Sequence, residues 1–178
     1  SRYLCTFKPP YDVTDGYEGV KDFEEAGEKI ITLEMPLYSS VKKLYIGVKE
    51  GSVLKPAPEY RITKPVVFYG SSITQGGCAS KPGSSYQSIL SRQLDFDYIN
   101  LGFSGSGRAE QVMCDYIAGL DMSIFVCDYD HNAPTLAHLQ KTHLPLVQAV
   151  RQAHPHIPIV LLNRPKAVLN EEEQARLS

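Results

Sequence analysis

The chain has 178 residues, 43% apolar and 21% charged, with a formal net charge of −2. That is an ordinary globular balance with enough chain for one sizeable core. Near-neutral charge argues against nucleic acid or an anionic membrane as partner, and no stretch approaches the roughly 18 continuous apolar residues of a membrane helix. The four cysteines, Cys5, Cys78, Cys114 and Cys127, are widely and irregularly spaced. With no Cys-x-x-Cys pair they argue against a zinc site, and nothing else in the pattern calls for a metal or cofactor.

Residues 1–60 read as a β-rich segment, a partial sandwich. Tyr3–Phe7 reads as a short strand stopped by Pro9-Pro10. Ile31, Leu33 and Met35 alternate with polar residues, and so do Leu44, Ile46 and Val48 with Tyr45 and Gly47; both have the period of two expected of strands. Leu37-Tyr38-Ser39-Ser40 reads as a connection. Residues 51–65, with Pro56, Pro58 and Pro65, read as a linker.

From there, in the second predicted domain (61–178), the pattern changes to alternating strands and helices. Val66–Tyr69 is the first predicted strand, ending at Gly70-Ser71-Ser72. Ser84 or Ser85 can cap a helix carrying Tyr86, Ile89, Leu90 and Leu94. Tyr98–Leu101 is the second strand and residues 108–120 the second helix. Ser123–Tyr129 is the third strand. Thr135 caps a short helix, Pro145 suits the first position of another, and Ile157–Leu162 is the fourth strand. Near-continuous apolar strands alternating with helices predict an α/β fold: a three-layer αβα sandwich around a mainly parallel, doubly wound, flavodoxin-like sheet. Right-handed crossovers narrow the strand order to one such as 2-1-3-4. Asn170 followed by three glutamates reads as a helix start, and the expectation is that the natural chain continues beyond Ser178.

Three strand ends carry chemistry: Gly70–Thr74, Asn100–Gly107 and Asp128–Pro134. A 2-1-3 order makes them neighbours at the carboxyl edge, where open α/β sheets place their sites. A hydroxyl, a glycine-rich backbone and an amide then converge, the set that acyl transfer needs: a nucleophile plus donors aimed at a developing oxyanion. Of the two serines, Ser72 is the candidate nucleophile and Ser71 a turn residue.

These blocks resemble those of the SGNH hydrolases, the GDSL-like esterases and lipases. Gly70-Ser71-Ser72-Ile73-Thr74 matches Gly-Asp-Ser-Ile/Leu-Thr with Ser71 in place of the aspartate. The resemblance implies that Ser72 is the nucleophile, that the Gly105 backbone N–H serves the oxyanion hole, and that Asn132 is the second donor, although Asp130-His131-Asn132-Ala133 matches Gly-x-Asn-Asp only loosely. It covers about residues 62–165. Phe-Tyr-Gly-Ser-Ser-Ile-Thr-Gln-Gly behind a β-rich segment resembles a subgroup with an N-terminal β-sandwich, similar to carbohydrate acetylesterases. The resemblance implies a short-chain, acetyl-type ester, a small-molecule or glycan substrate, and a bacterial, exported protein. It also implies an Asp-x-x-His block near the C-terminus to supply the general base. No such motif is read in this chain, so the base is expected beyond Ser178, and the chain by itself is expected to be inactive. On that ground His131 reads as a substrate contact.

Two other readings compete. In a flavodoxin-like module, residues 70–77 would cradle a phosphate such as that of FMN, although the next predicted helix begins only near Ser84. Alternatively, the chain is a catalytically silent fragment of an esterase.

Overall fold

A computed structural model describes residues 2–13, 15–163 and 171. The chain divides into two compact units, Ser1–Glu34 and Met35–Ser178. In the first, Val13 N–H donates to Pro10 O (3.4 Å) across a turn and Lys29 lies over the Phe23 ring. Among the described residues before Ile62 there is no strand or helix. The expected strands at Tyr3–Phe7, Ile31–Met35 and Leu44–Val48 are therefore not formed. Their apolar positions, Leu33, Leu44 and Ile46 among them, are exposed, and a period-two pattern makes a strand only where a neighbour pairs it and a face buries it.

The second unit holds the α/β fold. Its strands are β1 (Ile62–Gly70), β2 (Phe96–Gly102), β3 (Ile124–Asp128) and β4 (Ile159–Leu161). They form a four-stranded sheet in the order β2-β1-β3-β4, parallel throughout. The predicted order is thus the observed one, and β1 is a central strand. It starts earlier than expected, inside the supposed linker. Pro65 has no N–H for the ladder, and the β1–β2 register shifts between Ile62 and Val66, which lets a proline sit in a central strand.

The helices are α1 (Ser72–Gln75), α2 (Tyr86–Leu94), α3 (Gln111–Ala118) and α4 (Leu136–Ala153). The larger core cluster joins Val67 and Tyr69 of β1 and Phe125 and Cys127 of β3 with Cys114 and Ile117 of α3 and Leu139, Leu146 and Val150 of α4. The smaller cluster, Val66, Phe68, Phe96 and Val126, lies on the sheet's other face, with Tyr86 of α2 against it.

Two helices depart from expectation. The short helix after Thr135 and the one expected at Pro145 are a single helix, α4, with Pro145 inside it. An interior proline costs about 3 kcal/mol. Leu139, Leu146 and Val150, spaced by seven and four residues, bury one continuous stripe that only an unbroken helix provides. In α2 the buried residues are Gln87, Ser88 and Ser91, while Ile89, Leu90 and Leu94 are exposed. Hydrogen bonds account for most of that polar inner face: Ser88 Oγ to Tyr98 OH (2.6 Å), Ser91 Oγ–H to Phe96 O (2.6 Å) and Gln87 Nε2 to Thr74 O (2.6 Å), with the buried Gln87 Oε1 left unpaired among the described residues. The helix start read at Asn170 lies outside the described residues. No helix among the described residues is long and apolar enough to cross a membrane.

Candidate active site

The site is built where β1 ends. Gly70 pairs with Gly102 of β2 on one side and Asp128 of β3 on the other. A Cβ on Gly70 would fall on Thr74 Oγ1 and 2.6 Å from Asp128 O, so only glycine lets the chain turn this sharply into α1. Ser71 caps α1, its Oγ accepting the Ile73 N–H at 3.2 Å. A one-turn helix therefore begins at Ser72, where the sequence reading saw none before Ser84. It closes on Gly76, which is left-handed at φ 105°.

Ser72 is half-buried at the first position of α1. Its hydroxyl and its N–H have no hydrogen-bond partner among the described residues. Ser71, by contrast, is buried and committed to its cap. The two serines thus differ: Ser71 Oγ caps α1, and Ser72 Oγ does not.

Beneath Ser72, Thr74 is fully buried and donates to Asp128 Oδ2 at 3.1 Å. Asp128 O accepts the Ser71 N–H at 3.2 Å, so one residue of β3 holds both ends of the turn. Burial pushes the Asp128 carboxyl up to about 6; the Thr74 bond opposes the rise and the neighbouring Asp130 adds to it. The Thr74 carbonyl accepts from both Gln87 Nε2 (2.6 Å) and Asn100 Nδ2 (2.9 Å). Asn100 Oδ1 in turn accepts the Gly102 N–H (2.9 Å).

The second strand end comes close because Gly102 has no side chain. A Cβ there would land on the Gln75 backbone and 2.5 Å from Thr74 C. Gln75 then reaches both ways: Oε1 accepts the Ser104 N–H (2.8 Å), and Nε2 donates to Leu37 O (3.2 Å). Gly105 is exposed and left-handed at φ 68°, and its N–H has no acceptor among the described residues.

The third strand end turns through a 3₁₀ helix, Asp130–Asn132. Asn132 Nδ2 donates to Phe103 O at 2.7 Å, tying this loop to the glycine turn. A Cβ on Gly107 would stand 3.0 Å from Gly70 O and 3.5 Å from Asn132 Nδ2. The three predicted segments therefore meet at one edge, with Ser72, Gly105 and Asn132 each on its own loop.

Three features of the site escaped the sequence reading. Thr74 and Gln75 hold the loops together, and their places at the end of the first block and directly after it were the available signal. Leu37 and Tyr38, read as a connection, contact α1, with Tyr38 OH donating to Ser72 O at 3.4 Å. Asp128-Tyr129-Asp130-His131 has the Asp-x-x-His spacing at the end of β3, away from the place the family pattern assigns it. Ligating atoms of Asp128, Asp130 and His131 lie within 4.8 Å of one another, the arrangement among the described residues that most resembles a cation site. Asp128 there already accepts the Thr74 proton. Cys127 is a buried core thiol with its pKa pushed up by burial, and Cys5 and Cys78 are exposed.

A doubly wound parallel sheet with a serine turn, a glycine turn and an asparagine loop at its carboxyl edge is the layout of an SGNH-type hydrolase domain. The profile of the GDSL-like lipase/acylhydrolase family matches residues 63–177, and the chain belongs to that family. Among solved structures it is similar to a protein of Bacteroides ovatus ATCC 8483 described as a GDSL-like lipase. The two share 34% identity and a TM-score of 0.57, over 65% of this chain and 36% of that one. It shares its fold with the salicylyl-acyltransferase SsfX3 of a tetracycline biosynthetic pathway, at 18% identity and a TM-score of 0.60, over 73% of this chain and 40% of that one. The chain thus spans well under half the length of either structure. No curated protein matches it.

Proposed function

We propose that the chain supplies the nucleophile and oxyanion side of a serine ester hydrolase acting on short-chain, acetyl-type esters of a small molecule or glycan. Ser72 Oγ attacks the ester carbonyl. The negative charge that develops on the carbonyl oxygen is met by the N–H groups of Ser72 and Gly105 and by the Asn132 side-chain amide. The alcohol leaves, and water releases the acyl group from Ser72 in a second step. The proton of Ser72 passes to a histidine, which the family pattern places in a C-terminal Asp-x-x-His block. The carbohydrate acetylesterase character follows from the resemblance to the subgroup with an N-terminal β-sandwich.

The observation that carries the reading is the availability of Ser72. It is a half-buried hydroxyl with no hydrogen-bond partner among the described residues, at the end of a central strand and flanked by two donor-bearing loops. By contrast, Ser71 Oγ already takes the Ile73 N–H at the start of α1, a donor that a cradled phosphate would need. The test is hydrolysis of p-nitrophenyl acetate by the full-length protein that carries this histidine and by its Ser72→Ala variant. The variant should lose at least about 10³-fold in kcat, as expected for loss of a nucleophile. Equal rates would sink the assignment.

A further inference from the structure

We propose that the cavity beside the Gly105 turn is a subsite for an oxyanion group, a carboxylate or phosphate, carried by the substrate. This rests on the ester-hydrolase reading above and narrows its substrate class to esters bearing an acidic group. The cavity measures about 330 Å³, and its lining includes Arg108, Glu110, Cys114, His138, Lys141 and Thr142. That volume lies at the lower end of small-molecule pockets.

Its charge is unbalanced. Arg108 Nε donates to Gly105 O at 3.2 Å, which anchors one edge of the guanidinium beside the candidate oxyanion donor. The terminal nitrogens of Arg108 have no acceptor among the described residues, and Lys141 has no ion-pair partner among them. Glu110 is the carboxylate on the lining, and its Oε2 accepts the Arg108 backbone N–H at 3.2 Å. Two cations thus face one anion. His138 braces the backbone of the turn: its Nε2 lies 2.9 Å from Arg108 O, and a carbonyl only accepts, so Nε2 carries the hydrogen. The free end of a guanidinium binds a planar or tetrahedral oxyanion with two parallel bonds, and a lysine adds a mobile point charge. Through the Arg108 bond to Gly105 O the cavity adjoins the turn that bears the candidate oxyanion donor, which is why the acid it holds is assigned to the substrate.

The test begins with binding, independent of turnover. Inorganic phosphate and, separately, succinate are titrated at low, constant ionic strength and followed by amide NMR shifts. Saturable shifts are expected at residues 108–111 and 138–142, at least tenfold weaker in Lys141→Gln. The control is Lys64→Gln, which removes the same charge from a residue paired with Asp121 (2.7 Å) on β1, away from the cavity. Tighter succinate binding assigns the group as a carboxylate and tighter phosphate binding as a phosphoryl. Absence of saturable shifts, or equal weakening in both variants, overturns the subsite.

In turnover, the kcat/KM ratio of p-nitrophenyl hemisuccinate to p-nitrophenyl acetate should fall about tenfold in Lys141→Gln. This is the loss expected for one charge-assisted bond. An unchanged ratio also overturns the proposal. If oxyanions bind but neither ester is cleaved, the hydrolase reading fails and the binding site stands. If acetate is cleaved and no oxyanion binds, the subsite fails alone.

Discussion

Thr74→Val removes one hydroxyl and keeps the shape of the side chain, at the point where β3 holds the serine turn. Thr74 is fully buried, and its hydroxyl donates to Asp128 Oδ2 at 3.1 Å. The cost depends on the charge of Asp128, whose pKa is raised from 3.8 to about 6. At pH 8 the carboxylate is ionised, and losing a hydrogen bond to a buried charge costs about 1.5–3 kcal/mol. At pH 4.5 the carboxyl is protonated in the fold, and the lost bond is a neutral one of about 1 kcal/mol. The sign follows from linkage. A carboxyl raised in the fold contributes stability that is fully present below its unfolded value near 3.8 and is lost as pH rises through about 6. Without its donor, Asp128 rises further and the decline deepens. The assay is urea unfolding at both pH values, followed by far-UV circular dichroism because the chain has no tryptophan. The variant should lose about 2 kcal/mol at pH 8 and about half of that at pH 4.5, with the slope unchanged. Equal losses at the two pH values would refute the assignment of Asp128 as a buried, titrating anchor of the turn.

Gly102→Ala should be among the costlier single-methyl additions. Its Cβ would meet the Thr74 and Gln75 backbone rather than a side-chain tip, so α1 must move. A loss at or above the usual range of about 1–3 kcal/mol for overpacking is expected in the same urea assay, and an effect under 0.5 would show that α1 yields freely. Tyr69→Phe tests the packing under the glycine turn. The buried Tyr69 hydroxyl, its pKa pushed up by burial, accepts the Ala109 N–H at 2.8 Å. Ala109 is itself buried, at φ 54°. The orphaned amide should cost about 1–3 kcal/mol and lose hydrogen-exchange protection at Ala109. Retained protection would count against it.

The sheet was legible because its signal is local and redundant. Val66–Tyr69 and Phe125–Cys127 are apolar runs and Tyr98–Leu101 is a mostly apolar one, each closed by glycine or aspartate, and handedness then left few orders to choose from. That the three strand ends adjoin at one edge was legible for the same reason, since small and amide residues stand where strands stop. What was hidden depends on partners far apart in sequence. Nothing around Gln87, Ser88 and Ser91 announces a buried polar face, because the acceptors and hydroxyls that satisfy them lie on α1 and β2. Pro145 has the form of a helix start until the stripe of Leu139, Leu146 and Val150 is seen to run through it. Period-two alternation before Ile62 has the form of strands, yet alternation does not supply the neighbour that a strand must pair with. Leu37 and Tyr38 carry no local pattern at all; the carbonyl of one and the hydroxyl of the other serve α1.

The bond from Asn132 to the Phe103 carbonyl has a consequence for how this edge can change. It makes the glycine turn and the 3₁₀ loop a single mechanical part, although about 30 residues of chain separate them. Neither loop can be lengthened, shortened or exchanged for one from another scaffold without leaving an amide or a carbonyl without its counterpart. Recombination that seeks new specificity at this edge must therefore move residues 102–108 and 129–133 together, as one cassette, or accept a looser site.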